Sequence, residues 1–243
     1  MRETGKGPYY YWYEDRYRKV YAQGVKFWTD DPQEIEKTTE SLSRFLSHYG
    51  LAPGQSRIIE FGCGEGHLAR FLLERGYEYT GVDISASALE KARQWAGRLA
   101  ADKKFILGDV TSLPDMPADS FDAAVDNGCL HMLVVDSHRK RYLSEVRRLL
   151  APNGKACFCD NYREDAFEGE VKTFNDYLEI FKPDLATPEE RTAYCNGDYC
   201  KIMLPRLPAR ARSEAGYRRE LLAAGFEVEV FAVEQWSCVI YAG

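Results

Sequence analysis

A chain of 243 residues, 45% of them hydrophobic, can bury a full core as one α/β domain with room for a sizeable insertion. Its net charge of −6 is spread along the chain without a lysine–arginine block, which disfavours nucleic acid as the main partner. There is no run of about eighteen apolar residues, no signal-like apolar core and no small-scaffold pattern among the seven cysteines, so the sequence predicts a soluble, cytoplasmic protein with reduced thiols and no membrane association.

The first 30 residues crowd aromatic and charged side chains together: Tyr9 to Tyr13, Arg16, Tyr17, Tyr21, Phe27 and Trp28. Such a segment either covers a sheet edge or caps a site, because ring faces attract a cation and exclude water. Asp31-Pro32 starts a helix, with Ile35, Leu42, Phe45, Leu46 and Tyr49 on its apolar face and Gly50 at its end. Arg57 to Phe61 is a short apolar strand running into Gly62, Gly64 and Gly66, after which Leu68, Phe71 and Leu72 continue as a helical face up to Gly76. Glycines at a strand-to-helix turn let the backbone approach a ligand, and the following helix aims free N–H groups into the same space.

Tyr79 to Asp83 gives a second strand ending in a carboxylate, which a parallel sheet brings to the same edge as the glycines, within reach of a ribose. Ser85 caps a third helix with a stripe of Leu89, Ala92, Ala96 and Leu99. Lys104 to Val110 is a third strand, and Phe121 to Met132 is a fourth strand entering a loop. Asp136 or Ser137 begins the next helix. Pro152-Asn-Gly154 turns the chain into strand five, from Lys155 to Asp160. From about 161 to 212 the pattern loosens around one helix, Val171 to Phe181, and reads as an insertion serving as a substrate lid. Ser213 begins the last helix. The segments 226–233 and 236–242 then close the chain as a hairpin.

The spacing Gly-x-Gly-x-Gly, with Glu60 and Glu65 around the turn, suits a cationic cofactor better than a pyrophosphate. Glu60-Phe-Gly-Cys-Gly-Glu-Gly66, Val82-Asp83 and Gly108-Asp109-Val110, in that order, resemble the class I S-adenosylmethionine (SAM)-dependent methyltransferases. The resemblance implies a doubly wound, mostly parallel α/β sheet of seven strands with an antiparallel last strand, and a single domain over 1–243 whose product is S-adenosylhomocysteine. It implies cofactor contacts from Glu60, Gly62, Cys63, Gly64, Gly66, Asp83, Ile84, Asp109, Val110 and Asn127, with Asp109 at the adenine amine. The segment Trp12 to Tyr17 followed by Trp28 is similar to the aromatic opening of some small-molecule and protein-lysine methyltransferases, which implies Tyr17 and Trp28 closing over the cofactor.

In this fold the fourth strand ends below the transferred methyl, so Asp126, Asn127, Gly128, Cys129 and His131 are expected on the floor of the reaction site. His131 is the leading base candidate, with Asp126 beside it. Asp126 with Asp160-Asn161 resembles the magnesium set of catechol-type O-methyltransferases, but Val125 to His131 looks more like a metal-free group acting on soft nucleophiles, so a divalent metal is the less favoured reading. Cys157/Cys159 and Cys195/Cys200 lack zinc-site spacing, and Arg206, Arg210 and Arg212 are candidates for a substrate carboxylate or phosphate. The function expected is methyl transfer to a small-molecule thiol, amine or hydroxyl. The alternatives are a protein-lysine methyltransferase, a SAM-binding sensor or scaffold without turnover, and, more remotely, a dehydrogenase.

Overall fold

Ile58 and Ile59 are neighbours in sequence, both fully buried, and they belong to different hydrophobic cores. Opposite faces of one strand therefore both need covering, the mark of a sheet sandwiched between helices. The computed structural model describes residues 8–28, 31–99, 105–195, 197–234 and 237–243. Strand β1 (Arg57–Phe61) pairs in parallel with β2 (Glu78–Asp83) on one side and β4 (Phe121–Asn127) on the other, and β3 (Phe105–Leu107) lies beyond β2. Strand β5 (Leu150–Asn161) runs parallel to β4. The last two strands of the chain, β8 (Val228–Glu234) and β9 (Ser237–Ala242), form a hairpin whose β9 arm inserts antiparallel beside β5, giving the order β3-β2-β1-β4-β5-β9-β8.

One face of the sheet, with Ile59, Phe61, Phe158 and Ile240, is covered by α5 (Asp136–Leu149) and α7 (Glu214–Ala223) through Tyr142, Val146, Tyr217 and Leu221. The other face, with Ile58, Val125 and Cys157, meets α2 (Pro32–His48), α3 (His67–Glu74) and α4 (Ala86–Ala96) through Leu42, Phe45, Leu68, Leu72, Leu89 and Ala92. The predicted caps form: Asp31 accepts from Gln33 N at 3.0 Å, Ser85 from Ala88 N at 3.0 Å and Ser213 from Gly216 N at 3.2 Å.

Several expectations are corrected. Strand five begins at Leu150, not Lys155: its register against β4 jumps from Phe121↔Leu150 to Ala123↔Lys155, so Pro152-Asn-Gly154 forms an irregular bulge inside the strand instead of a turn before it. Leu99 lies beyond α4 and is exposed, because Gly97 ends the helix. Lys104, placed at the start of the third strand, lies outside the described residues. The helix of the insertion, α6 (Phe174–Phe181), starts at Phe174, where Thr173 and Asp176 make a reciprocal capping box. The insertion also holds an unanticipated hairpin of β6 (Glu189–Cys195) and β7 (Asp198–Leu204), and a disulfide joins Cys195 to Cys200 where reduced thiols were expected. Cys195 stands opposite Asp198, so Cys200 is its diagonal cross-strand neighbour, and their Cα atoms are 6.0 Å apart.

A third, small core joins this hairpin to the N-terminal helix α1 (Trp12–Ala22): Val20 and Val25 pack on Ala193, Ile202 and Leu204. Among the described residues no helix is long and apolar enough to cross a membrane.

Candidate active site

From β1 the chain winds outward to β2 and β3, then returns to lay β4 on the other side of β1. Ligands of open α/β sheets bind in the crevice that such a reversal opens at the carboxyl ends of the strands. Here the crevice widens into a cavity of about 690 Å³ under α1 and the 161–212 insertion. Of the predicted cofactor contacts, Tyr17, Trp28, Gly62, Asp83, Ile84, Asp109, Val110 and Asn127 line it. Glu60, Cys63, Gly64 and Gly66 do not.

The glycine turn is built by close approach. At Gly62 (φ +67°) an added Cβ would lie 2.8 Å from the Cβ and Sγ of Cys129, and at Gly64 (φ +51°) it would lie 2.7 Å from the Tyr17 hydroxyl. Only glycine takes that conformation while leaving the floor loop and the cap in contact with the turn.

The two glutamates expected to set the electrostatics of the turn are turned away from the cavity. Glu60 is buried and accepts the Tyr79 hydroxyl at 2.6 Å, and burial pushes its carboxyl up to about 8. Glu65, also buried, accepts from the Tyr21 hydroxyl at 2.7 Å and from Trp28 N at 2.8 Å, so it ties the N-terminal segment to the turn. The carboxylates on the cavity wall are instead Asp83 and Asp109, at and just past the ends of β2 and β3, with Asp184 and Glu189 in the insertion.

Asp83 accepts from Gly64 N and Ser85 N, both at 2.8 Å, one on each oxygen, which leaves a lone pair on each for a ligand hydroxyl. Burial raises its carboxyl to about 6 against these backbone donors. Asp109 accepts from Thr111 N at 2.8 Å and from the Tyr10 hydroxyl at 3.0 Å. Glu14 of α1 grips the start of α4, accepting from Ser85 Oγ at 2.6 Å, Ser87 Oγ at 2.7 Å and Ser87 N at 3.1 Å. Neither Tyr10 nor Glu14 was singled out from sequence. Their partners lie far along the chain, and no local pattern announces them.

The floor is the loop after β4. Asp126 lies beneath it: its oxygens accept from Cys129 N at 2.7 Å, Leu130 N at 3.0 Å and the Tyr142 hydroxyl at 2.7 Å. It is 1% exposed and does not reach the cavity, so its geometry is that of a loop clamp, not of a group that meets substrate. His131 does line the cavity. Its Nδ1 bonds Asp160 Oδ1, which also accepts the His131 backbone N–H at 3.0 Å. In the tautomer that donates Nδ1–H to this carboxylate, Nε2 carries the ring's lone pair. Asp160 is 2% exposed and its Oδ2 has no hydrogen-bond partner among the described residues. Among the described residues no group of three or more potential metal ligands comes together. Cys129 also lines the cavity, and burial pushes its thiol far up, which keeps it protonated.

The three candidate arginines separate. Arg206 lines the cavity, whereas Arg210 and Arg212 are buried in the body of the protein. Both bond Asp136 Oδ1, at 2.6 and 2.8 Å.

A crevice at the strand reversal, a glycine turn and two strand-end carboxylates define a Rossmann-like nucleoside-binding α/β enzyme. A family model described as a methyltransferase domain matches residues 58–154. An uncharacterized methyltransferase of Geobacillus kaustophilus is 28% identical over 182 residues, covering 72% of this chain and 74% of that one. A ubiquinone biosynthesis O-methyltransferase of Alkalilimnicola ehrlichii is 34% identical over 145 residues, 58% of this chain, and the match spans only 56% of that relative's length. Among solved structures, the 1,6-didemethyltoxoflavin-N1-methyltransferase of Burkholderia thailandensis, with 1,6-didemethyltoxoflavin and S-adenosylhomocysteine bound, has the same fold at a TM-score of 0.63 and 21% identity, covering 100% of this chain and 92% of that one. Residues 58–154 thus match a methyltransferase domain, and the chain shares the fold of the class I SAM-dependent methyltransferases.

The cavity suits the cofactor of that class. SAM presents a ribose diol, an adenine and a sulfonium. Asp83 offers acceptor lone pairs, Gly62 lies on the cavity wall, and Tyr13, Tyr17 and Trp28 give aromatic walls where a cation is favoured.

Proposed function

We propose that the chain transfers a methyl group to a nucleophile on a small molecule, with His131 as the base that takes the acceptor's proton and Asp160 as the residue that positions it. The observation that carries this reading is the His131–Asp160 pair on the floor of a cavity roofed by α1 and the lid. A carboxylate on Nδ1 fixes the imidazole tautomer and stabilises the ring as it gains a proton, the logic of a base–orienter pair. When bound, SAM supplies a methyl group on a sulfonium sulfur. Asp83 would hold the ribose and Asp109 and Val110 the adenine, while Gly62 and Asn127 would flank the rest, with Tyr17 and Trp28 excluding water. Orientation of this kind can supply roughly 7–11 kcal/mol of a barrier. Asp126 acts here through the loop it clamps.

A small acceptor is favoured by the volume, about 690 Å³ within the usual range of small-ligand cavities, and by a roof made of two elements. The named O-methyltransferase relative and the toxoflavin-pathway structural neighbour point to the same substrate scale.

The test is incubation with methyl-labelled SAM and a desalted cell extract supplemented with its own small-molecule pool, followed by separation of small molecules from macromolecules. Label in the small-molecule fraction is expected. Label confined to protein would replace this reading with a protein methyltransferase, and SAM binding without label in either fraction would favour a sensor.

A further inference from the structure

The lid end of the cavity gathers three arginines from three separate segments: Arg16 of α1, Arg191 of β6 and Arg206 just beyond β7. Two carboxylates stand among them, Glu189 and Asp184. Only Arg191 is within hydrogen-bond distance of one, 2.9 Å from Glu189. Arg16 lies 3.8 Å from Glu189, and Arg206 lies 3.7 Å from Asp184 and 4.0 Å from Glu189. Arg16 donates to Pro205 O at 3.2 Å, and Arg206 makes no hydrogen bond among the described residues. Three positive charges thus face two negative ones, with most guanidinium N–H groups uncommitted.

Arg210 and Arg212 are the useful contrast. Their charges are met inside the protein, both at Asp136 and Arg212 also at Glu168 and Glu220. Arg16 lacks a carboxylate as close as Asp136 is to those two: Glu189 stands 3.8 Å away, and burial disfavours the Arg16 charge. Guanidinium groups converging from different segments on one cavity are the arrangement that grips a planar or tetrahedral oxyanion.

We infer that Arg16, Arg191 and Arg206 form a binding site for an anionic group, a carboxylate or phosphate, carried by the methyl acceptor. The inference rests on the methyltransferase reading above. It assigns the anion to the acceptor because Arg191 and Arg206 belong to the insertion after β5, whereas the groups suited to the nucleoside, Asp83 and Asp109, come from the ends of β2 and β3.

The test titrates phenyl phosphate and phenol into the protein saturated with S-adenosylhomocysteine, for wild type and an Arg191→Gln/Arg206→Gln double variant. These side chains are 52% and 43% exposed, so their loss should leave the fold intact. Phenyl phosphate should bind at least about tenfold tighter than phenol, from charge-assisted hydrogen bonds, and the double variant should erase the preference. Equal or absent binding of the two probes to wild type would overturn the inference. Affinities for S-adenosylhomocysteine and for 5′-methylthioadenosine, which lacks the amino-acid carboxylate, separate the other source of an anion. A double variant that loses only the former affinity would assign the arginines to the cofactor and contradict the acceptor site. If wild type binds neither nucleoside, the methyltransferase reading fails, and the two phenyl probes on ligand-free protein still decide whether the arginines select an anion.

Discussion

Asp83 holds the turn and lines the cavity at once. Gly64 N and Ser85 N fix its carboxylate, and its remaining lone pairs suit ribose hydroxyls. Asp83→Ala should weaken SAM binding by about 1.5–3 kcal/mol per charged hydrogen bond lost, read by calorimetry. The same carboxyl predicts a pH dependence. Burial raises it from 3.8 to about 6, so the acceptor anion forms only as pH rises through that value. SAM affinity should therefore fall as pH drops through about 6, and the inflection should vanish in Asp83→Asn. For the ligand-free protein the sign reverses: the folded state binds the extra proton between 3.8 and about 6, so this group adds stability as pH falls through that window and loses it as pH rises. Asp160 offers a second test. Asp160→Asn keeps the shape but removes the carboxylate that sets the tautomer of His131, so turnover should fall well below wild type while cofactor affinity stays unchanged. His131 and Asp126 were both legible as residues of a fourth-strand loop. Which of them faces the cavity was not, because that depends on Tyr142 and on two backbone N–H groups that draw Asp126 underneath.

At the scale of elements, the cavity is roofed by α1 and the β6–β7 hairpin, which share a core of their own. Val20, Val25, Ala193, Ile202 and Leu204 are its buried members, far fewer than either main core holds. A small satellite cluster opens at lower cost than the body of the domain. Leu204→Ala should remove about 2–5 kcal/mol of packing from this contact. The expected result is faster proteolysis within 189–204 and weaker SAM retention, with a nearly unchanged main thermal transition. The aromatic crowding before Trp28 marked this segment in sequence as covering either a sheet edge or a site, since rings and charges without periodicity need something to cover. The hairpin stayed hidden: Glu189–Cys195 and Asp198–Leu204 alternate too weakly, with exposed Tyr199 and Met203 between buried positions.

For the whole molecule, the sheet order β3-β2-β1-β4-β5-β9-β8 puts the strand reversal between β1 and β4, which is why a turn at Gly62 and a loop at Asn127 share one cavity. A seven-stranded, mostly parallel sheet with an antiparallel last strand was readable through the resemblance, because strands and helices alternate through β5 and then give way to a terminal hairpin. The coupling of the insertion to the domain was not readable. Arg210 and Arg212 converge on Asp136 at the start of α5, and Arg139 pairs with Glu220 of α7. Asp136→Ala would leave two buried guanidinium groups without this partner, and it should cost about 3–5 kcal/mol in denaturant unfolding. These arginines had looked like substrate ligands because sequence shows their charge but not the acid that meets it.

The most direct test of the whole account compares wild type with His131→Ala at saturating SAM, following label into the small-molecule fraction of an extract. Wild type should label that fraction, and the variant should do so roughly 10²–10⁴ times more slowly with its S-adenosylhomocysteine affinity unchanged. Label appearing only in macromolecules, or equal rates for the two proteins, would contradict it.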